Sequence, residues 1–359
     1  EEYYRDDLEK QGLSFPKTGS PEKIVYEFDE ETDETFKCTI DIIKDFKYSR
    51  YVPLIYLKDT KKYTQMLIAQ RNMGGFMKGI LVKRLESSFF AFRKTLGRFI
   101  KSYEDFINMY NTGKVYISKK VDVYDLLDNG DTKKLMYYIE QEDVMEFESK
   151  VFKPAFIVDL KSDLAQLKIL ESLWEQVSVD TKLIEFKRNL KQNKCLKNKK
   201  VIVFTESMET AEYLEKSLKA DYGDKVIAFS GKSSVALKEK IECSFNPKYI
   251  DRNEDKYNIL ITTDVLAEGV NLHRAGALIN YDLPWNPTRI MQRVGRINRV
   301  GTKFEKINVF NFFPTAQSKK QMPLEERILE KLQSFHDTLG NDSRYLSEDE
   351  EISSQKLFD

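Results

Sequence analysis

From about residue 200 the chain alternates between short apolar runs and stretches of helical period, and this rhythm restricts the fold more than any other feature. Val201–Thr205, Lys225–Ser230, Ile259–Thr263, Ala277–Asp282 and Ile307–Phe312 read as strands. Ser207 is placed to cap a helix whose Ala211, Leu214 and Leu218 share one face. Val235–Phe245 reads as a further helix, stopped before Pro247. A leading helix over Ser162–Val177 carries Leu164, Leu167, Leu170, Leu173 and Trp174 as its apolar stripe. Continuously apolar strands that alternate with helices imply a buried parallel sheet. The expected class is therefore α/β, a parallel sheet with helices on both faces, preceded by a mainly helical region.

The first 150 residues have a different texture. Pro16, Pro21, Gly12 and Gly19 give an irregular start, and Lys23–Phe28 reads as a strand. Thr35–Phe46 and Leu81–Phe106 read as helices, the second with Leu81, Leu85, Phe92, Leu96 and Phe99 at helical spacing, as core residues. From Tyr116 to Lys150 the chain turns polar and then acidic, which reads as a solvated or mobile connection. The expected division is residues 1–155 as a mainly helical linker region with an acidic mobile end, 156–340 as the sheet domain, and 341–359 as a polar tail. The chain opens Glu-Glu-Tyr-Tyr without an initiator Met, as expected of an excised fragment.

Charge excludes little. Lys plus Arg and Asp plus Glu both number 58 in 359 residues, so any polyanion partner must be read from local clusters. Two runs qualify: Lys187–Lys200, with seven basic residues and no acid, and Arg71–Lys101, with eight against Glu86 alone. Each reads as a nucleic-acid contact or as a solvated face. Cys38, Cys195 and Cys243 lie far apart without paired spacing, and only His273 and His336 could join them, so no metal site is expected. With no signal peptide and no long apolar run, three reduced thiols suit a cytoplasmic protein, and no membrane partner is expected.

The densest signal is Gln292-Arg-Val-Gly-Arg-Ile-Asn-Arg299. On a helix, Arg289, Arg293 and Arg296 form one stripe, and Arg299 lies a turn beyond Arg296. Guanidiniums so crowded repel one another and call for a polyanion opposite. Gly295 in mid-helix costs about 1 kcal/mol against Ala and points to a close backbone approach. Upstream, Ile259–Asn271 and Leu278–Pro287 each begin apolar and end in polar residues, as strands do when they deliver side chains to a carboxyl edge.

Taken together, these segments resemble motifs V and VI of superfamily-two helicases. The link from Asp282-Leu-Pro-Trp-Asn-Pro287 into the arginine helix is similar to that of the Swi/Snf-like branch. Lys78–Arg93 is similar to the helical region between the two motor lobes of bacterial members, some of which carry nuclease modules. The resemblance is specific from about Lys200 to Gly301 and implies a RecA-like domain. It also implies ATP and Mg as cofactors, bound mainly by a first lobe that this stretch lacks. No Gly-x-x-x-x-Gly-Lys-Ser/Thr loop occurs here. Ser230-Gly-Lys-Ser-Ser234 lacks its first glycine, Val226 standing in that place, and no acidic magnesium motif follows a strand. The implied partners are an N-terminal RecA-like lobe of the same protein and nucleic acid, with DNA favoured over RNA.

The resemblance assigns Arg299 as an arginine finger, with Arg296 as the second phosphate contact, because an arginine supplied across a cleft stabilises phosphoryl transfer. Gln292 orders the helix or touches the nucleotide side. Asp264 accepts from ribose hydroxyls, holds an arginine of motif VI, or caps the next turn. Gly269 permits a tight turn, and Glu268 is a nucleotide-side or plain loop polar. Arg293 is expected to serve the helix itself. Thr205, Ser207, Gly231, Thr262 and Thr263, at strand ends, are expected to meet phosphates of nucleic acid. The competing reading is a stand-alone RecA-like binding module without ATPase activity. A phosphate loop upstream in the same reading frame would decide between them.

Overall fold

The computed structural model describes residues 16–18, 21–118, 144–249, 255–267, 270–284, 287–299 and 302–314. Most of the acidic connection and all of the polar tail lie outside the described residues. The chain divides into two compact units, Glu34–Ser178 and Glu1–Asp33 with Val179–Asp359. In chain order the first elements are β1 (Lys17–Thr18), β2 (Glu22–Tyr26) and α1 (Glu30–Asp45).

The helical unit corrects the sequence reading in three places. The single helix expected over Leu81–Phe106 is two, α2 (Thr64–Ser87) and α3 (Phe89–Asn111). Ser88 makes the break: its backbone is extended, φ −162° and ψ 151°, and its hydroxyl accepts from the Ala91 amide at 3.1 Å. A hydroxyl that caps the second helix competes with continuing the first. The stretch read as a solvated connection has strands at its ends. β3 (Lys114–Ser118) pairs antiparallel with β4 (Val144–Glu148), burying Val115 and Ile117. Finally, α4 (Ala155–Gln176) packs on α3 within this unit, so the division falls after Ser178 and not near residue 155.

Two polar anchors hold the helical unit. Trp174 is fully buried, its ring 4.7 Å from that of Phe89, and its indole N–H donates to Thr39 Oγ1 at 2.7 Å. Asp163, 1% exposed, accepts from the Lys47 and Ser49 amides, the Ser49 hydroxyl and the Tyr103 hydroxyl. Burial pushes its carboxyl up, against the pull of these donors.

The second unit is the expected parallel sheet. Its elements continue as α5 (Thr181–Gln192), β5 (Val201–Phe204), α6 (Met208–Tyr222), β6 (Val226–Phe229), α7 (Val235–Phe245), β7 (Ile259–Thr262), β8 (Ala277–Asn280), α8 (Pro287–Ile297) and β9 (Lys306–Pro314). The strand order is β6-β7-β5-β8-β9, with β1 and β2 both pairing parallel to β9. The amino-terminal strand therefore completes this sheet, although the sequence reading placed it in the first region.

The pleat sorts the side chains. Val201, Val203, Ile259, Ile261, Ala277, Ile279, Phe310 and Phe312 face one layer, with Phe186 and Leu190 of α5 and Ala211, Leu214 and Leu218 of α6. Ile202, Phe204, Leu260, Leu278, Ile307 and Val309 face the other, with Ile241 and Phe245 of α7 and Val294 and Ile297 of α8. Period-two alternation with both faces covered is why the strands read as unbroken apolar runs.

Candidate functional site

The carboxyl ends of β5, β7 and β8 deliver Thr205, Thr263, Asp264 and Asp282 to one edge of the sheet. Helix α8 crosses there and buries Arg293 completely. Its Nε donates to Asp264 Oδ1 at 2.6 Å and its Nη2 to Asp264 Oδ2 at 3.1 Å. Nη1 donates to Asn280 Oδ1 at 2.9 Å and to the Asp282 carbonyl at 3.2 Å, and the guanidinium lies 5.1 Å from the Phe204 ring. A guanidinium this deep is tolerable only when its donors are satisfied, and the planar fork matches both carboxylate oxygens.

The network extends across four strands. Asn280 Nδ2 donates to Asn311 Oδ1 at 2.7 Å, joining β8 to β9. Asp282 accepts from the Thr205 hydroxyl and the Glu206 amide, both at 2.6 Å, joining β8 to β5. Half-exposed Arg289 adds a weaker contact, its Nη1 lying 3.3 Å from both Glu206 and Asp264. Of the roles open to Asp264, the structure thus shows it holding arginines of α8, namely Arg289 and Arg293.

Two sequence arguments are corrected here. The arginine stripe does not require an outside polyanion throughout, because Asp264 and Glu206 of the same unit answer Arg289 and Arg293. Gly295 marks no close approach either: a Cβ there would meet nothing within 4 Å.

The arginines assigned to the nucleotide lie at the far end of α8. Arg296 is half-buried, and its carbonyl accepts from the Leu272 amide at 3.2 Å. Arg299, also half-buried, donates from Nη1 to Asn271 Oδ1 and from Nε to the Gly295 carbonyl at 3.2 Å. Gln292 is exposed on the same helix. Glu268 and Gly269 lie outside the described residues.

The strand-end hydroxyls are used internally. Thr205, Ser207 and Thr262 are buried. Thr205 bonds Asp282, Ser207 caps α6 through the Thr210 amide at 3.2 Å, and Thr262 donates to the Thr263 carbonyl at 3.0 Å. Thr263 is 9% exposed, and its amide donates to the Phe229 carbonyl at 3.3 Å. Gly231 is the open position of the five. It begins the turn in which the Ser230 amide donates to Ser233 Oγ at 2.9 Å and Ser234 caps α7. The turn joins β6 to α7, and the position of the first loop glycine is taken by Val226, inside β6.

Sequence reasoning missed Asn280, Asn311 and Asp282. Asn280 and Asp282 showed as polar residues toward the end of an apolar run and Asn311 as one polar residue inside another, but nothing local pairs Asn280 with Arg293 or Asp282 with Thr205. Among the described residues, no helix is long and apolar enough to cross a membrane.

Comparison with known proteins converges on the same stretch. Residues 181–301 match the helicase conserved C-terminal domain. The chain is 34% identical over 145 residues to an uncharacterized ATP-dependent helicase, YqhH, of Bacillus subtilis, covering 39% of this chain and 23% of that protein. It is 29% identical over 149 residues to the RNA polymerase-associated protein RapA of Vibrio vulnificus, covering 42% and 15%. It is 34% identical over 125 residues to the ATP-dependent RNA helicase sub2 of Aspergillus terreus, covering 34% and 27%. The matched stretch thus spans about a quarter or less of each relative.

Proposed function

We propose, because residues 181–301 match the helicase conserved C-terminal domain, that the chain supplies the second motor lobe of an ATP-dependent nucleic-acid translocase of the Swi/Snf-like kind, acting on duplex DNA. The observation that carries this reading is the Asp264–Arg293 pair. It locks α8 against the sheet and so fixes where Arg296 and Arg299 stand. A lobe that completes a partner's nucleotide site needs such pre-set arginines, since reorganising them during phosphoryl transfer would raise the barrier.

In this reading Arg299 and Arg296 reach the nucleotide held by an N-terminal lobe, which also carries the magnesium. ATP supplies the free energy, and this chain's guanidiniums stabilise charge on the transferred phosphoryl group. Gln292 lies on the nucleotide side, and Asp264 acts through the arginines it holds. Glu268 and Gly269 belong to the same nucleotide-side set. Nucleic acid runs along the carboxyl edge near Gly231, with Thr205, Ser207, Thr262 and Thr263 shaping the strand ends beneath it. Contacts there go to phosphate and carry no sequence information.

The test is kinetic, in the protein carrying both lobes. Arg299→Ala is expected to cut ATP turnover roughly 10³-fold while leaving nucleotide affinity nearly intact, and Arg299→Lys is not expected to rescue it. Normal turnover in a folded Arg299→Ala protein would remove the finger assignment. Appreciable ATP turnover by this chain alone would instead favour a self-sufficient enzyme over half a motor.

A further inference from the structure

One basic feature is not absorbed by the motor reading. The run Lys187–Lys200 divides in the structure. Lys187 and Lys191 pair with Asp221 at 3.0 and 2.7 Å, whereas Lys199 and Lys200 turn into a cleft of about 320 Å³. The turn is made at Asn198, whose φ of 59° is left-handed, a conformation asparagine tolerates better than most residues. The cleft is also lined by Pro247, His273, Arg274, Lys303 and Phe304.

Its place in the fold is distinct from the motor edge. Lys200 directly precedes β5, Arg274 precedes β8 and Phe304 precedes β9, so the cleft sits at the amino edge of the sheet, whose carboxyl edge carries Asp264 and Asp282. The lining holds four cations and no acid. Asp255 bridges Lys200 and Arg274 from outside the lining, at 2.5 Å to each. Lys199 and Lys303 meet no carboxylate among the described residues. His273 Nδ1 is buried without a hydrogen-bond partner there. The Phe304 ring, lying against Gly276, and Pro247 add an apolar wall; a Cβ at Gly276 would stand 2.9 Å from that ring.

Surplus positive charge and an aromatic wall in a volume near the lower end of ligand sites suit one chemistry. We propose that this amino-edge cleft binds a phosphorylated nucleoside, with phosphate on Lys199 and Lys303 and its base against Phe304. The source is either a free nucleotide or one nucleotide unit of a strand. None of the lining residues is assigned to the nucleotide contact of α8, although Arg299 stands near His273.

Calorimetric titration of the chain with AMP, with pyrophosphate, with a short oligothymidylate and with hexaglutamate tests it. Lys199→Ala/Lys303→Ala is expected to weaken AMP or oligothymidylate binding by about tenfold or more. The charge-matched pair Lys216→Ala/Lys225→Ala is expected to leave it within about twofold. Loss confined to AMP identifies a free nucleotide as the ligand, and loss confined to oligothymidylate identifies a strand. Phe304→Leu is expected to weaken AMP more than pyrophosphate, and matching thermal unfolding of the variants excludes misfolding as the cause. Binding unaffected by the Lys199/Lys303 change, equal loss in the control pair, equal effects of Phe304→Leu on AMP and pyrophosphate, or hexaglutamate competing as well as AMP would each overturn the proposal.

Discussion

Replacing Arg293 by alanine tests whether the edge network is the organising element of this unit. The substitution removes two bonds to Asp264, one to Asn280 and one to the Asp282 carbonyl. Breaking a buried ion pair from one side costs about 3–5 kcal/mol, because the orphaned charge stays desolvated. Asp264 keeps 20% of its side chain exposed, so water can partly replace the guanidinium and the lower end applies. A loss of about 3 kcal/mol lowers the midpoint of thermal unfolding by roughly 6–12 °C for a unit of this size. Arg293→Lys keeps the charge but loses the fork, and falls between the two. Circular dichroism melts of Arg293→Ala, Asp264→Asn and the double variant give the coupling directly, expected at about 1.5 kcal/mol or more. The half-exposed Arg289 provides the contrast: Arg289→Ala is expected to cost no more than about 1 kcal/mol. An Arg293→Ala midpoint within about 2 °C of the parent, or single effects that add within about 0.5 kcal/mol, would refute the argument.

Three further outcomes are expected. Asp163→Asn should destabilise the helical unit by about 2–3 kcal/mol, because donors approach both carboxylate oxygens and an amide can accept at only one; urea unfolding with an unchanged midpoint would contradict this. His273 is held below its ordinary value by burial and then by Arg299. The stability it contributes is therefore full above about pH 6.5 and is lost as pH falls through the lower folded value, so His273→Gln should flatten the acid side of a melting-temperature profile, and parallel profiles would count against it. Ser88→Ala should cost about 1 kcal/mol by removing the cap of α3, read as a lower urea midpoint at unchanged slope, and no shift would show that the break between α2 and α3 has another cause.

The parallel sheet was legible because burial on both faces leaves its mark on every residue of a strand. Val201–Phe204 and Ile259–Thr262 need no partner to be recognised. The helix break at Ser88 was not legible, since the apolar spacing of Leu81, Leu85, Phe92 and Leu96 runs through it with little phase error. The β3–β4 pairing was hidden because its partners, such as Val115 and Phe147, lie too far apart for any turn signal to link them. At the site, the arginine helix was evident, but the roles within it were not evenly so. Arg293 reads from sequence as one more surface cation. Its burial is decided by Asp264, which lies 29 positions upstream, and by Asn280, which lies 13 upstream. The hydroxyl of Thr205 likewise looked available until Asp282, at a neighbouring strand end, was placed.

The registration of β2 against β9 has a consequence for how the molecule is made. Glu22 stands opposite Phe310, so β2 finds its partner strand only after all the residues between them have been synthesised. At roughly 5–20 residues per second, an interval on the order of 15–60 s separates the two strands at the ribosome. Throughout that time Ile24 and Tyr26, both buried in the finished sheet, are without their final neighbours. The helical unit can complete itself in the interval, because all of its elements lie between the two strands. The sheet is thus closed last and from its edge, and shielding that one early segment is what the nascent chain has to manage.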